Sequence, residues 1–294
     1  MYRILQIDSR NEIQPEEMGS KAKSWFFIPE ENESTWLFKR PQRESSGEHW
    51  AEKIAAEIAE LLGVPHAKVE LAEHRGNRGS ATENIVPDNL DLVHGNEVLE
   101  SAGLFRDGTH LNFHTSDHTL ENIWLALDRT FESDSDRVEA KARFAEYLVL
   151  DAVVGNTDRH SENWGILQKQ SSPLNIKSLA PSYDHGSSLG HELMSDRRER
   201  WLKRGVDAYV DGGRGEIYWQ NTDRHGPSPL ELIRLAISQY PEPFRNAIAK
   251  VDNLDDSILQ GIVNALPADW MEPSARTFAL ELMRYSCRQL REVI

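Results

Sequence analysis

The sequence predicts an α+β protein, with a small β-rich part at the N-terminus and a larger, mainly helical part after it. The first part contains aromatic and β-branched runs separated by polar turns, a pattern typical of strands. The second part is dominated by segments whose apolar residues recur at helical spacing. We place the boundary near Pro87, which divides residues 1–87 from residues 88–294.

Four strand-like runs and one helix define the N-terminal part. The runs "KSWFFI" and "TWLFKR" are joined by "PEENES", which suits a hairpin connection. Within "GEHWAEKIAAEIAELLGVP", Trp50, Ile54 and Ile58 recur at helical spacing. Gly63 and Pro65 then supply the stop, and two further runs follow, "AKVELA" and "SATENIV". We therefore expect a sheet crossed by one helix.

The C-terminal part contains four amphipathic segments that favour helices. They are "HTLENIWLALDRTF", "RVEAKARFAEYLVLDAVVG", "PLELIRLAISQYPEPFRNAIAKV" and "SARTFALELMRYSCRQLREVI". Between the second and third lie the short apolar runs "WGIL" and "LNIKSLA", which we expect to pair as a hairpin.

Composition restricts the possible partners and the compartment. The net charge of −15 opposes tight binding to nucleic acid or to an anionic membrane surface, so neither is expected as a direct partner. The single cysteine, Cys287, excludes a disulfide framework. Asp8 interrupts the N-terminus too early for a signal peptide. These features predict a cytoplasmic location.

The segment "GNTDRHSENWGIL" carries the strongest chemical signal. Asp158 and Asn163 lie five positions apart, between a helix-like and a strand-like run. Phosphoryl transfer needs one carboxylate that orients the attacking hydroxyl and a nearby oxygen that holds Mg²⁺. The hairpin would return Asp184 beside Asn163 as a second metal ligand. The alternative is a solvated turn in which Asp158 or Asn163 acts as a helix cap.

The chain contains its own control for this motif, because "TDRH" occurs again at residues 222–225. There Asp223 is followed by Ser228 at the position where Asn is needed, and no apolar strand comes after it. We interpret this second copy as a loop. The first copy is distinguished by its context rather than by its letters.

Two features of the N-terminal part suit phosphate binding. Lys39 ends the strand "TWLFK", and Glu52 on the following helix could pair with it. "GSKAKS", which begins at Gly19 and includes Lys23, could wrap phosphates with its backbone N–H groups. Alone, Lys39 is more simply an ordinary strand-end lysine, and the loop is a weak signal.

A third candidate is a zinc site. His110, His114 and His118 are spaced four apart, as on a metal-binding helix. The polar residues between them disfavour a helix, and no cysteine assists. We therefore do not predict a zinc site there.

Together these segments resemble the HipA-like kinases, the serine/threonine kinase toxins of bacterial toxin–antitoxin modules. The family signature D-x-H-x-x-N, followed by a Y-D pair, is matched by Asp158, His160, Asn163, Tyr183 and Asp184. The family's phosphate loop, strand lysine and helix glutamate are matched in order by Gly19, Lys23, Ser24, Lys39 and Glu52. "DRHSEN" is also similar to phosphoinositide-type lipid kinases.

The resemblance implies a bilobal protein-kinase-like fold, with a small β-rich N-lobe and a larger helical C-lobe. ATP and Mg²⁺ bind between the lobes of such a fold. By this analogy Asp158 is the catalytic base, and Asn163 and Asp184 hold the metal. The other matches belong to the nucleotide site: Gly19, Lys23, Lys39, Glu52, His160, Tyr183 and the hinge residues Glu83 and Ile85.

The chain also departs from the long toxins of the family. Glu16 stands where those toxins carry an inhibitory autophosphorylated serine, which leaves Ser20 or Ser24 as alternative regulatory sites. The extra N-terminal subdomain and any antitoxin-like DNA-binding segment are not recognised, so an antitoxin would be a separate protein.

The leading hypothesis is therefore an ATP-dependent serine/threonine protein kinase. Family analogy suggests translation factors or aminoacyl-tRNA synthetases as protein substrates, although no residue selects one. Two alternatives stay open, a kinase of a small molecule or lipid and a nucleotide-binding regulator without transfer activity.

Overall fold

A six-stranded sheet forms the N-terminal part of the protein. The computed structural model describes residues 1–16, 23–29, 34–43, 45–105, 115–169 and 177–294. The strands are β1 Ile4–Ile7, β2 Glu12–Glu16, β3 Lys23–Phe27, β4 Thr35–Lys39, β5 Val69–His74 and β6 Asn77–Glu83. Their order across the sheet is β1-β5-β6-β4-β3-β2. β1 pairs with β5 in parallel, and the other four pairings are antiparallel.

One helix, α1 (Glu48–Leu62), follows β4 and precedes β5 in the sequence. It packs on this sheet against β5 and β6. Its apolar side chains at helical spacing, Trp50, Ile54 and Ile58 among them, are buried. Gly63 ends the helix in the left-handed conformation, with φ at 61° and its N–H bonded to the last turn. The expected helix and its glycine stop are therefore confirmed.

A second sheet has three strands, of which one precedes residue 100 and two follow residue 160. It consists of β7 (Asp91–His94), β8 (Gly165–Gln168) and β9 (Lys177–Leu179), all antiparallel. The predicted pairing of the "WGIL" and "LNIKSLA" runs is thus present. Beyond β9, the N–H of Ala180 donates to the carbonyl of Gly165 at 2.8 Å, which extends the pairing toward Asp184.

The rest of the described chain is mainly helical and surrounds one long central helix. The helices are α2 Gly95–Ser101, α3 Leu120–Thr130, α4 Asp134–Val154, α5 Ser195–Arg204, α6 Asp207–Asp211, α7 Pro229–Gln239, α8 Pro241–Ala249, α9 Asp256–Asn264 and α10 Pro273–Arg291. The central helix α4 packs against α7, α8 and α10, and its second half is almost entirely buried.

Several sequence-based expectations have a defined outcome at this level. The first six strands and α1 lie within residues 4–83, and β7 begins at Asp91, while the domain boundary near Pro87 stays a prediction. Gly19, Ser20, His110 and His114 lie outside the described residues. Among the helices of the described chain, none is both long and apolar enough to span a bilayer.

Candidate active site

The loop between α4 and β8 is held in one conformation by its own hydrogen bonds. Gly155 ends α4 in the left-handed conformation, with φ at 66°. The N–H of Asp158 then donates to Asn156 Oδ1 at 3.1 Å, and the Asn163 side-chain amide donates to the carbonyl of Asp158 at 2.6 Å. The N–H of Asn163 also donates to the carbonyl of His160 at 2.9 Å. Asp158 and Asn163 therefore occupy two ends of one closed turn.

Arg159, for which no chemical role is predicted from the sequence, fixes this loop to α4. Its guanidinium donates to both carboxylate oxygens of Asp151 on α4, from Nε at 2.8 Å and from Nη2 at 2.7 Å. Nη1 reaches the carbonyls of Asn163 at 2.7 Å and Tyr183 at 3.4 Å. Burial lowers the pKa of Arg159, but the Asp151 carboxylate more than offsets this, so the group stays charged. Arg159 therefore joins α4, the loop that carries Asp158 (residues 155–164, the proposed catalytic loop) and the Asp184 segment.

The Asp158 carboxylate is half-buried and makes a hydrogen bond to a hydroxyl group. Ser187 Oγ donates to Asp158 Oδ2 at 3.0 Å. Ser187 comes three positions after Asp184, so the two predicted acids are linked through one short segment. Ser187 is not predicted from the sequence, because a serine beside a glycine is too common a feature to indicate a contact.

Asp184 adopts a conformation that is rare for a residue with a side chain, with φ at +56°. Its Oδ1 lies 3.0 Å from the ammonium group of Lys39, the last residue of β4 in the six-stranded sheet. Burial lowers the pKa of Lys39, but the charges of Asp184 and Glu52 outweigh it and leave the pKa raised. The strained Asp184 therefore faces a permanently charged lysine from the N-terminal sheet.

Glu52 approaches the same place from α1, but its direct contacts are with the segment after Asp184. Oε1 accepts a hydrogen bond from the His185 N–H at 2.7 Å and lies 3.6 Å from His185 Nδ1. The space beside Gly186 is tight, because a Cβ there would lie 3.1 Å from Glu52 Oε2, and a side chain would need a small shift of one of the two groups. Burial raises the pKa of Glu52, but the charge of Lys39 and the bond to His185 outweigh burial, so the pKa is lowered. Glu52 is thus an ionised neighbour of Lys39.

Tyr183 and His94 support the loop from the second sheet. The Tyr183 hydroxyl donates to the carbonyl of Glu162 at 2.8 Å, and His94 Nδ1 lies 3.1 Å from that hydroxyl. Burial raises the pKa of Tyr183 far above its ordinary value, so the phenol is neutral. His160 Nδ1 accepts a hydrogen bond from the backbone N–H of Glu162 at 3.2 Å, and this bond orients the imidazole ring. In this arrangement Tyr183 acts through backbone support.

The predicted phosphate loop has its ends beside Lys39. Glu16 on β2 and Lys23 on β3 are paired in register, and Lys23 is also paired with Lys39 on β4. Residues 17–22, which include Gly19, connect those two strands and lie outside the described residues. The segment therefore starts on β2, two strands from β4, and ends on β3, which pairs with β4 at Lys39.

Of the predicted hinge residues, Glu83 is the last residue of β6 and Ile85 lies two positions after it. Glu83 is paired with Trp36, and its N–H donates to the carbonyl of Lys68 at 2.9 Å. Ile85 is half-buried in the segment that leads to β7. This segment connects the large sheet to the second sheet, while a role for Glu83 and Ile85 in nucleotide binding stays a prediction.

Two other sequence features prove to be structural. The second "TDRH" copy forms a surface turn in which Asp223 Oδ2 accepts from the N–H of Gln220 at 2.8 Å, so its interpretation as a loop is confirmed. His118 is fully buried, with Nδ1 2.8 Å from the carbonyl of Glu216 and Nε2 accepting from Trp164 Nε1 at 3.1 Å. Both ring nitrogens are thereby used within the core.

A match to the HipA-like C-terminal domain spans residues 17–239. The chain belongs to this family. Serine/threonine-protein kinase CtkA of Helicobacter pylori (strain J99) is 24% identical over 165 residues, which cover 54% of this chain and 48% of that protein. The chain thus matches about half of the length of this relative.

Solved structures agree at the level of the fold. The crystal structure of the Helicobacter pylori proinflammatory kinase CtkA superposes with a TM-score of 0.75 at 18% identity, covering 92% of each chain. The Shewanella oneidensis HipA, solved with HipB and operator DNA, gives a TM-score of 0.55 at 14% identity, over 97% of this chain and 66% of the other. This HipA-like chain therefore has the bilobal protein-kinase-like fold.

Proposed function

We propose that the protein is an ATP- and Mg²⁺-dependent protein kinase that transfers the γ-phosphoryl group to a serine or threonine hydroxyl. One observation carries the proposal: Arg159 joins the closed Asp158–Asn163 turn to the segment of Asp184, since it donates to the carbonyls of Asn163 and of the residue before Asp184. Asp184 in turn forms the 3.0 Å ion pair with Lys39. A carboxylate, an amide, a second carboxylate and a lysine from distant segments are the side chains that phosphoryl transfer needs.

The oxygen donors fit a hard divalent cation. Among the described residues no group of three or more His, Cys, Asp and Glu side chains is placed to hold a metal. Mg²⁺ ordinarily takes only one or two protein oxygens beside phosphates and waters, and the Asn163 amide and Asp184 carboxylate would supply them. In this structure Asp184 Oδ1 is paired with the Lys39 ammonium at 3.0 Å, so Mg²⁺ would bind this carboxylate in competition with the ion pair. Bound Mg²⁺ would neutralise phosphate charge during transfer.

The remaining residues divide the work between phosphates and base. The proposed role of Lys39, whose pKa is raised by the charges of Asp184 and Glu52, is to hold phosphate oxygens, and the segment that contains Gly19 and Lys23 would share this role. Glu52 keeps α1 and the His185 backbone together and adds negative charge near Lys39. By family analogy Glu83, Ile85 and His160 contact the nucleotide. These roles make Lys39 a phosphate ligand and Glu52 a positioning residue.

Asp158 is the base of the proposed reaction. The acceptor hydroxyl oxygen forms a bond to the γ-phosphorus while the bond from that phosphorus to the ADP oxygen breaks. Asp158 orients the hydroxyl and takes its proton. The Ser187 bond at 3.0 Å fixes one oxygen of the Asp158 carboxylate, so the other can be directed to the acceptor.

Partners and regulation follow by analogy with the family. The solved HipA relative is complexed with HipB and operator DNA. We propose a separate antitoxin-type protein as a partner of this chain, and a translation factor or an aminoacyl-tRNA synthetase as the substrate. The location would be cytoplasmic, and Ser20 or Ser24 would be the sites of any autophosphorylation.

The proposal is tested by labelled transfer. Purified protein is incubated with γ-labelled ATP, Mg²⁺ and a bacterial lysate, and the labelled products are separated and hydrolysed to phosphoamino acids. We expect label on serine or threonine of a protein in the wild type and its loss in Asp184→Ala. Nucleotide binding without transfer to any acceptor would instead support a nucleotide-binding regulator. Label on a small molecule or lipid would show that the substrate is not a protein.

A further inference from the structure

A cavity of about 460 Å³ opens beside the catalytic loop and is not used by the nucleotide site described above. The end of α4, the helices α5, α6, α7 and α10 and the segment 212–214 surround it. This volume lies within the range of about 300–1,000 Å³ that is typical of ligand sites. None of Lys39, Glu52, Asn163 and Asp184 lines it.

The cavity has aromatic walls and an apolar floor. Trp201 and Tyr209 both line it and pack edge to face at 5.8 Å, and Tyr209 packs in the same way on Phe278 at 5.1 Å. Leu230 and Leu282, both fully buried, form the floor. The Tyr209 hydroxyl donates to Glu192 Oε1 at 2.9 Å, so its polar end is satisfied. Glu192 and Arg214 are the charged residues of the lining, one of each sign, and the rest of the lining suits a neutral apolar group.

Two chain segments connect this cavity to the proposed base. Thr157 lines the cavity and directly precedes Asp158. Glu192 also lines it, on the segment that begins with Ser187, the partner of Asp158. Between them, the N–H of Leu189 donates to the carbonyl of Val154 at 2.9 Å and ties the two segments together. The cavity is therefore connected to the proposed base through the residue before Asp158 and through the segment that carries Ser187.

We propose that this cavity receives a bulky apolar side chain of the protein substrate, near in sequence to the phosphorylated serine or threonine. The inference rests on the proposed protein kinase function and names its substrate class. A polypeptide can place an acceptor hydroxyl at Asp158 and a leucine-sized or phenylalanine-sized side chain a few ångströms away. Burial of such a side chain is expected to raise kcat/KM about tenfold to a hundredfold over alanine.

The test uses serine-containing peptides that differ only in one residue near the acceptor. Each position within four residues of the serine is varied in turn among leucine, phenylalanine, alanine and aspartate, and kcat/KM is measured with the full chain, ATP and Mg²⁺. The wild type should prefer leucine or phenylalanine over alanine at least tenfold at one position. Absence of preference at every position would overturn the proposal.

A filled cavity provides the second arm. Ala208→Leu adds a larger side chain in α6 at the cavity lining, and leucine is a strong helix former, so folding should be retained. The leucine-to-alanine preference should fall at least fivefold in Ala208→Leu and persist in Ala249→Leu, a matched change at an exposed position of α8. An undiminished preference in Ala208→Leu would overturn the assignment to this cavity.

The outcomes distinguish this inference from the proposed function. If no peptide is phosphorylated, sites labelled in lysate proteins are mapped by mass spectrometry and searched for a flanking apolar residue. Labelled sites without that residue contradict the cavity assignment while the protein kinase function stands. Transfer to no protein at all contradicts the proposed function itself, and the inference with it.

Discussion

The Arg159 guanidinium binds the Asp151 carboxylate through two hydrogen bonds, at 2.8 and 2.7 Å, with both side chains 3% exposed. The same guanidinium donates to the carbonyls of Asn163 and Tyr183. The end of α4, the catalytic loop and the residue before Asp184 are therefore joined by one buried cation. The position of the proposed base relative to the proposed metal ligands depends on this pair.

Breaking this pair should destabilise the protein strongly. Asp151→Asn removes the negative charge and leaves Arg159 buried without a counter-charge, which should cost about 3–5 kcal/mol of unfolding free energy. Asp134→Asn is the matched control, since Asp134 on the same helix pairs with Arg137 but is 95% exposed. That change should cost at most about 1 kcal/mol. Urea denaturation measures both, and equal costs would contradict the anchoring role.

Two lysines of the N-terminal part should separate activity from stability. Lys39→Met removes the proposed phosphate ligand and should lower kcat/KM for ATP by about a hundredfold or more. Lys53 is also buried, but it bonds Glu57 at 2.7 Å, Glu70 at 3.0 Å and the carbonyl of Val69 at 2.8 Å. Lys53→Met should lower the melting temperature and leave the KM for ATP of the folded fraction unchanged. An ATP defect of equal size in both variants would remove the special role of Lys39.

Stability should fall as the solution becomes mildly acidic. Burial lowers the pKa of His49 and of His118 to about 4, from an ordinary value of 6.5. The unfolded chain therefore takes up protons between pH 6.5 and 4 that the folded chain does not. The unfolding free energy is fully retained above about pH 6.5, and each histidine should remove roughly 3 kcal/mol by pH 4.

The histidine prediction is checked by urea denaturation across this pH range. His49→Gln should reduce the loss of stability between pH 6.5 and 4.5, while His225→Gln, a change at an exposed position, should not. An identical pH dependence in wild type and His49→Gln would show that His49 does not contribute.

A close backbone approach next to Lys39 predicts a sensitive glycine. A Cβ on Gly79 of β6 would clash with the carbonyl oxygen of Lys39 and lie 2.6 Å from the Phe38 ring. Gly79→Ala should therefore cost about 1–3 kcal/mol and weaken ATP binding by displacing β4. Gly261→Ala on α9 meets no atom within 4 Å and should stabilise by about 0.5–1 kcal/mol. Calorimetry and nucleotide titration of the two variants test this contrast.

Short motifs in the sequence were enough to predict that several of the proposed site residues lie close together, while their roles stay predictions. Asp158 and Asn163 lie in one turn, and the β8–β9 pairing explains why Asp184 returns to it from a position 21 residues later. Lys39 and Glu52 were assigned by family order, and both reach the Asp184 segment. The direct partners differ from the expectation, since Lys39 contacts Asp184 and Glu52 contacts the His185 backbone.

Other features depended on contacts that local patterns do not reveal. The partner of Arg159 lies eight residues earlier, although an acid within the apolar run "YLVLDAVVG" is a usable signal that a buried cation must be near. β1 and β2 were not predicted. β2 contains Pro15 and is an edge strand, where proline is tolerated, and β1 pairs with residues about 67 positions away. The cavity beside Thr157 is lined by six separated segments and has no sequence signature.

The measurement that tests the account most directly is the rate of γ-phosphoryl transfer at saturating ATP and Mg²⁺ in Asp158→Asn and Asp223→Asn. Both changes alter the aspartate of a "TDRH" sequence, but only Asp158 lies in the site. We predict that Asp158→Asn lowers kcat by about 10²- to 10⁴-fold with nucleotide affinity retained, and that Asp223→Asn transfers at the wild-type rate. Transfer by Asp158→Asn at the wild-type rate would contradict the assignment of Asp158 as the base and the mechanism built on it.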